Sequence, residues 1–272
     1  SSNTYENNTF QTHLDTRGVA TITLNRPDVH NALNEEMIQG LTKQIDEFDK
    51  NSKVRLLVLT GTGKSFCAGA DLHWMKKMKS FSYQENLADA QKLAKLFSVL
   101  NGFSKPTLAK VNGSALGGGA GLLACCDYVI ADRQTLFGFT EVRLGLLPAT
   151  ISPYVIAKIG TTHARAHFLS GARFNTDQAL NMGLIHQISS EGLLNQETEK
   201  QITEFLQAAP IASGLAKDLI FQIQNLNQNQ KNSDKVELFT CEQIAQVRAS
   251  EEGQEGMTAL LEKRKPRWDN KC

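Results

Sequence analysis

The tightest constraint on how this chain folds is an alternation. Short apolar runs, each closed by a turn of small residues, are interleaved with stretches of helical periodicity. Residues 54–59 form one such run, ending in Gly61-Thr62-Gly63. Residues 107–111 form another, followed by Asn112-Gly113 and then Gly117-Gly118-Gly119-Ala120-Gly121. Between them, Met37, Leu41, Ile45 and Phe48 recur at helical spacing behind Asn34, a good N-cap with Glu35 and Glu36 in the first turn. Leu87, Ala90, Leu93, Ala94, Phe97 and Leu100 predict a second helix over 85–100 with those side chains inward, and Ser104-Lys105-Pro106 stops it. Residues 9–15 and 19–24 flank Thr16-Arg17-Gly18 as a hairpin, and 128–131 and 135–137 read as further strands. Residues 71–84 look irregular. The fold class expected is α/β.

From residue 152 the pattern turns helical, with candidates at 153–159, 161–169, 176–182 and 197–207, a polar linker at 225–231, and a long amphipathic helix or helix pair over 235–263. The chain therefore divides into a β/α core over 1–200 and a helical segment over 201–272. A length of 272 residues suits one large domain with an appended segment. With 29 basic against 28 acidic side chains the chain carries no field to grip a polyanion, so no nucleic-acid partner is expected. No apolar run reaches the ~18–20 residues that span a bilayer, so no membrane partner is expected either. Five cysteines (Cys67, Cys125, Cys126, Cys241, Cys272) without a C-x-x-C pair do not make a disulfide framework, and residues 1–8 lack a basic-then-apolar leader pattern. Free thiols and a cytoplasmic location follow as expectations.

Three tempting motifs fail. Gly61-Thr62-Gly63-Lys64-Ser65 lacks the upstream glycine of a phosphate loop, because Val58 stands there. The glycines at 117–121 miss G-x-G-x-x-G, since Leu122 holds the last position. His163 and His167 share a helix face, but Ala164 replaces the glutamate of a zinc-protease motif, so no metal site is expected.

Three other segments carry chemistry together: 66–72 (Phe-Cys-Ala-Gly-Ala-Asp-Leu), 112–119 (Asn-Gly-Ser-Ala-Leu-Gly-Gly-Gly) and 137–145 (Phe-Gly-Phe-Thr-Glu-Val-Arg-Leu-Gly). The first two are small-residue turns at strand ends, where a backbone N–H can approach a ligand closely. Two such donors converging on one oxygen make an oxyanion hole. The third places Glu141 in an apolar stretch, where burial would raise its pKa toward neutral and fit it for proton transfer. Taken singly, the glycines also serve as tight packing points and Glu141 as a surface residue.

In this order and at these separations the segments resemble the crotonase (enoyl-CoA hydratase/isomerase) superfamily. The similarity extends from Leu24-Asn25-Arg26-Pro27 with Asn31-Ala32-Leu33 to Glu255-Gly256-Met257 with Glu262-Lys263-Arg264. The resemblance implies a ββα spiral core holding an acyl-CoA site, and a helical C-terminal segment that assembles a homotrimer or a dimer of trimers. It implies an acyl-CoA thioester as substrate and no separate cofactor. By resemblance, the N–H groups of Ala70 and Gly118 form the oxyanion hole and Glu141 is the catalytic carboxylate. Val29, His30, Ala68, Asp71, Leu72 and His73 line the CoA path, and Leu260 and Lys263 approach CoA from the C-terminal segment.

The chain departs from the two-glutamate hydratase pattern at Gly121, where that pattern has glutamate, and at Pro148-Ala149-Thr150-Ile151-Ser152, where it reads Pro-Gly-x-Gly-Gly. One carboxylate then either serves a water molecule alone or shuttles a proton between the carbons alpha and gamma to the thioester, which is isomerase chemistry. A finer resemblance favours the hydratase. Residues 68–78, 85–90, 141–149 and 151–154 resemble bacterial methylglutaconyl-CoA hydratases and the related isohexenylglutaconyl-CoA hydratases. Such substrates carry a second carboxylate, for which Arg143 is a candidate partner; Lys76 and Lys77 read as solvated. The expected function is hydration of 3-methylglutaconyl-CoA or a related branched enoyl-CoA. An enoyl-CoA isomerase is the first alternative, and a non-catalytic RNA-binding or scaffolding member of the fold the second.

Overall fold

The computed structural model describes residues 8–227 and 233–269. Cys272, the polar leader residues 1–7 and part of the expected 225–231 linker lie outside them. The described residues contain a large sheet and a small one. Strands β1 (Phe10–Leu14), β2 (Val19–Leu24), β3 (Leu56–Gly61), β5 (Thr107–Val111), β7 (Tyr128–Asp132) and β9 (Gln187–Ser189) form the large sheet in that order. Strands β4 (Ser65–Cys67), β6 (Ser114–Leu116) and β8 (Phe137–Gly138) form the small one. Among the described strands, β1 and β2 alone pair antiparallel with each other, through the expected hairpin, in which the Asp15 carboxylate accepts from the Arg17 and Val19 N–H groups. The inner strand β3 is buried from Leu56 through Thr60, as a parallel strand covered on both faces must be.

A repeated step builds the spiral. Each time the chain leaves β3, β5 or β7 it turns sharply and lays the next strand into the small sheet, in parallel, with Cys67 opposite Ala115 and Leu116 opposite Gly138. Two asparagines brace the β3–β4 turn. Asn31 Nδ2 donates to the carbonyls of Thr62 and Ser65, and Asn112 Nδ2 to those of Gly63 and Ser65. The segment that mimics a phosphate loop is thus a cross-bonded structural turn.

Helix α1 (Glu35–Lys50) begins where expected, with Met37 N–H donating to Asn34 Oδ1 at 2.9 Å and Met37, Leu41, Ile45 and Phe48 buried. Residues 71–84 are not irregular. They contain α2 (Leu72–Met78), capped by Asp71, whose seven residues are too few to show a period. Helix α3 (Tyr83–Asn101) starts earlier than expected at a Ser82/Glu85 capping box. Its first half stays exposed: Leu87 is 41% exposed rather than inward, and burial begins at Leu96. Helix α4 (Gly118–Ala124) follows β6, and α5 (Ser152–Phe168) breaks at Gly160 (φ +74°) into the two expected pieces. Helix α6 spans Thr176–Met182.

The chain divides into two compact units, Ser1–Phe103 with Thr107–Glu199, and Ser104–Pro106 with Lys200–Cys272. The remaining helices are α7 (Leu194–Gln207), α8 (Pro210–Asn227), α9 (Ser233–Ala249) and α10 (Glu251–Leu261). Helix α8 was not expected and runs into the supposed linker as far as Asn227. Within the second unit, Arg264 donates to Glu255 at 2.6 Å and Trp268 Nε1 donates to the Gln207 carbonyl at 3.0 Å. Cys67, Cys125 and Cys126 are buried and form no disulfide, and burial pushes the Cys67 thiol up to about 12. No described helix is long and apolar enough to cross a membrane.

Candidate active site

The three chemistry-bearing segments leave the C-terminal ends of the three parallel strands of the small sheet. Strand β4 runs into Ala68-Gly69-Ala70, β6 into Gly117-Gly118, and β8 into a 3-10 turn, Thr140–Leu144, that carries Glu141. Two glycines let the turns touch backbone to backbone. Gly69 (φ +94°) and Gly117 (φ +55°) adopt conformations that strain any L side chain. A Cβ on Gly117 would stand 3.8 Å from Gly69 Cα and only 3.0 Å from Glu141 Oε1. All three segments therefore meet at Gly117.

The two expected donors follow these glycines directly. Leu33 bridges the first turn, donating to the Gly69 carbonyl at 2.7 Å and accepting from the Asp71 N–H at 2.9 Å. Backbone alternation turns the intervening Ala70 N–H away from Leu33. Gly118 opens α4, where N–H groups have no partner within the helix, and the preceding peptide is fixed by Gly117 N–H donating to the Gly138 carbonyl at 2.8 Å. Among the described residues, neither N–H donates to a protein acceptor. Leu33 and Phe97 pack on Gly118, so the ground beneath this donor is apolar.

Glu141 is half-buried. Its Oε2 is buried with no hydrogen-bond partner, and desolvation raises its pKa above the ordinary carboxylate value. No cation neutralises it among the described residues. Such a group exchanges protons more readily near neutral pH than an exposed glutamate does. The place where a second carboxylate would sit is filled. A Cβ on Gly121 would fall inside Ile151 Cγ2 and stand 2.9 Å from Ile151 Cβ and 3.3 Å from Phe97 Cε1. The two departures noted in the sequence are thus one packed contact.

The remaining expected residues are spread around these turns. Val29 ends a 3-10 turn (Pro27–Val29) that His30 caps, beside β4. His30 is left-handed (φ +55°), its Nδ1 is 2.9 Å from Ser65 Oγ, and its carbonyl accepts from Ala68 N–H at 3.0 Å. Leu72, 80% exposed, and His73 project from α2 into solvent. Asp71 does not: its carboxylate is buried, with Oδ2 paired to Arg26 at 2.8 Å and Oδ1 accepting from the Trp74 N–H at 2.9 Å. These contacts outweigh desolvation and hold its pKa below the usual value. Arg143 is carried away from Glu141. Residues two apart on a 3-10 turn diverge, and Arg143 Nε donates to the Ser170 carbonyl at 3.0 Å. Lys76 is exposed, and Lys77 pairs loosely with Glu35 at 3.4 Å. Leu260 (exposed) and Lys263 (φ +56°) lie in the second unit. His167 Nδ1 is buried without a partner, its ring against Phe174, and no group of three or more metal-ligating side chains occurs among the described residues. Motif reading quoted Arg26 and Ile151 within longer segments but gave neither a role; each contacts a distant position.

Comparison with known proteins gives a consistent set. Residues 15–271 match the family model described as enoyl-CoA hydratase/isomerase. A putative enoyl-CoA hydratase of Thermus thermophilus is 33% identical over 250 residues, covering 92% of this chain and 97% of that one. A 2,3-dehydroadipyl-CoA hydratase of Escherichia coli is 31% identical, covering 91% and 94%. The crystal structure of an enoyl-CoA hydratase from Shewanella pealeana superposes with a TM-score of 0.91 at 38% identity, covering 97% of both chains.

Proposed function

This chain belongs to the enoyl-CoA hydratase/isomerase family, and from that premise we propose that it adds water across the double bond of an α,β-unsaturated acyl-CoA. One observation carries the reading: the half-buried carboxylate of Glu141, whose Oε2 has no hydrogen-bond partner, sets its Oε1 against Gly117, the same glycine at which the two donor turns touch. The thioester oxygen binds between the N–H groups of Ala70 and Gly118. Ionised Glu141 takes a proton from water as the water oxygen bonds to the β-carbon. The electron pair of the double bond moves toward the thioester, whose oxygen becomes partly anionic and is held by the two donors. As that charge returns, the α-carbon takes the proton from Glu141, and the carboxylate is restored. With Ile151 against Gly121, Glu141 serves both transfers. Desolvation raises its pKa, which is the direction that favours both transfers over an exposed glutamate.

The same packing favours a second reading. A lone carboxylate that moves a proton from the α- to the γ-carbon needs no water and makes a Δ3,Δ2-enoyl-CoA isomerase. For the acyl group we propose 3-methylglutaconyl-CoA or a related branched enoyl-CoA, on the resemblance of segments 68–78, 85–90, 141–149 and 151–154. The relative named 2,3-dehydroadipyl-CoA hydratase supports it, because dehydroadipyl-CoA is also the thioester of a dicarboxylic acid. Assembly as a homotrimer or dimer of trimers belongs to the same proposal, supported by the exposed Ile211, Leu260 and Leu261 of the second unit.

Separate incubations with 3-methylglutaconyl-CoA and with a 3-enoyl-CoA, followed by the absorbance of the 2-enoyl thioester, test the choice. Loss of absorbance with the first substrate supports the hydratase. Gain with the second and no change with the first makes the chain an isomerase.

A further inference from the structure

We propose that Arg26 is a positioning residue, which through its ion pair with Asp71 holds the Ala70 N–H where the thioester oxygen becomes anionic. The inference rests on Ala70 being an oxyanion donor. Ala70 sits on an exposed turn between Gly69, at φ +94°, and Asp71. Nothing in its own side chain can fix the direction of its N–H. The turn is instead held from both flanks. On one side Leu33 bridges Gly69 and Asp71. On the other, Arg26 Nη2 grips Asp71 Oδ2 at 2.8 Å while Nη1 donates to the carbonyl of Ala32, the neighbour of Leu33. One guanidinium thus ties together both strands of the bridge that sets the Ala70 peptide. Arg26 is fixed in turn, since its own N–H donates to Asn31 Oδ1 at 2.7 Å.

The pair is well placed to act mechanically. The Arg26 and Asp71 side chains are 20% and 8% exposed, so salt screens them less than a surface pair. A guanidinium offers several donors in a rigid plane, which sets angle as well as distance. Asp71 also caps α2 through Trp74 N–H, so the residue after the donor is anchored at both carboxylate oxygens. Arg26 is an inward strut, and a role in gripping a CoA phosphate would require its guanidinium to leave both of these acceptors.

Two variants separate the roles. Asp71→Asn keeps an oxygen to cap α2 and removes the charge. Arg26→Lys keeps the charge but cannot serve both acceptors. A displacement near 1 Å at a site costs about 10²-fold in rate. In Asp71→Asn, kcat should therefore fall about 10²-fold with KM within about threefold, and Arg26→Lys should lie between it and the parent. The independent readout is the thioester carbonyl stretch of an enoyl-CoA bound to the inactive Glu141→Gln protein. The hole should lower that frequency relative to free enoyl-CoA, and adding Asp71→Asn or Arg26→Lys should return it toward the free value. An unchanged bound frequency in both double variants overturns the role of Arg26 while leaving the hole intact. No shift in Glu141→Gln itself overturns the hole, and the inference with it. A rise in KM with kcat unchanged assigns Arg26 to CoA binding and also overturns the proposal.

Discussion

Replacing Gly121 by alanine puts two opposing effects in one experiment. Gly121 lies inside α4, and alanine in a helix interior is favoured over glycine by roughly 0.5–1 kcal/mol. On backbone grounds alone, Gly121→Ala should stabilise. Packing opposes it. The new methyl would fall inside Ile151 Cγ2 and stand 2.9 Å from Ile151 Cβ, against the ~3.5–4.0 Å at which carbon atoms rest. The helix cannot step aside, because Gly119 packs directly on the Cys67 carbonyl and Gly118 on Leu33. Ile151, 2% exposed and beside Phe97, has little room to move. Overpacking of this kind costs about 1–3 kcal/mol, so after the backbone gain the net loss is about 0–2.5 kcal/mol, with packing winning across most of that range. At about 2–4 °C per kcal/mol, Tm should fall by as much as about 10 °C. Thermal melts of the parent, Gly121→Ala, Ile151→Ala and the double variant close the cycle. Ile151→Ala alone should destabilise by about 2–5 kcal/mol, but in that background Gly121→Ala should be neutral or stabilising. An equal fall in Tm in both backgrounds, or a rise in the parent, would refute the claim that Ile151 occupies the place of a second carboxylate.

The buried charge on Glu141 sets two pH dependences. Both proposed reactions use the ionised form, so kcat/KM should rise as pH climbs through the pKa of Glu141, which desolvation raises; a flat profile there removes Glu141 from the rate-limiting proton transfer. For stability the sign is opposite. A raised carboxyl pKa means the folded state keeps its proton longer than the unfolded state, so stability present in acid is lost as pH rises through the folded pKa. Glu141→Gln should therefore be more stable than the parent at neutral pH and match it in acid, as chemical denaturation at the two pH values would reveal. Gly117→Ala forces a side chain into a positive-φ position and toward Glu141 Oε1, 3.0 Å from the new Cβ. Strain of about 1–3 kcal/mol is expected, with a loss of kcat near 10²-fold, and a variant that keeps full turnover would mean that Glu141 works from another position.

What was legible in the chain followed from period and from capping. Helix α1 announced itself through Asn34 and four apolar residues at helical spacing, and β2 and β5 through apolar runs between turn residues. The chemistry-bearing segments were legible because glycine and a lone glutamate in apolar surroundings are chemically unusual. The short strands β4 and β6 were not, since three residues establish no alternation. Leu87 misled for a related reason: a period says which residues share a face, not how far along the helix that face is covered. The Arg26–Asp71 pair joins positions 45 residues apart, and the Ile151–Gly121 contact joins a helix and the N-cap of a later one, read separately. Such contacts belong to the spiral rather than to any local stretch.

The most direct measurement is the turnover of an enoyl-CoA by Glu141→Gln beside the affinity of the same protein for CoA. The amide keeps the shape of the side chain and cannot carry the proton. A fall in kcat of at least about 10²–10⁴-fold, the usual worth of a general acid–base group, with CoA affinity unchanged, is the expected result. Near-parent turnover by Glu141→Gln would contradict the assignment of Glu141 as the carboxylate that moves the proton.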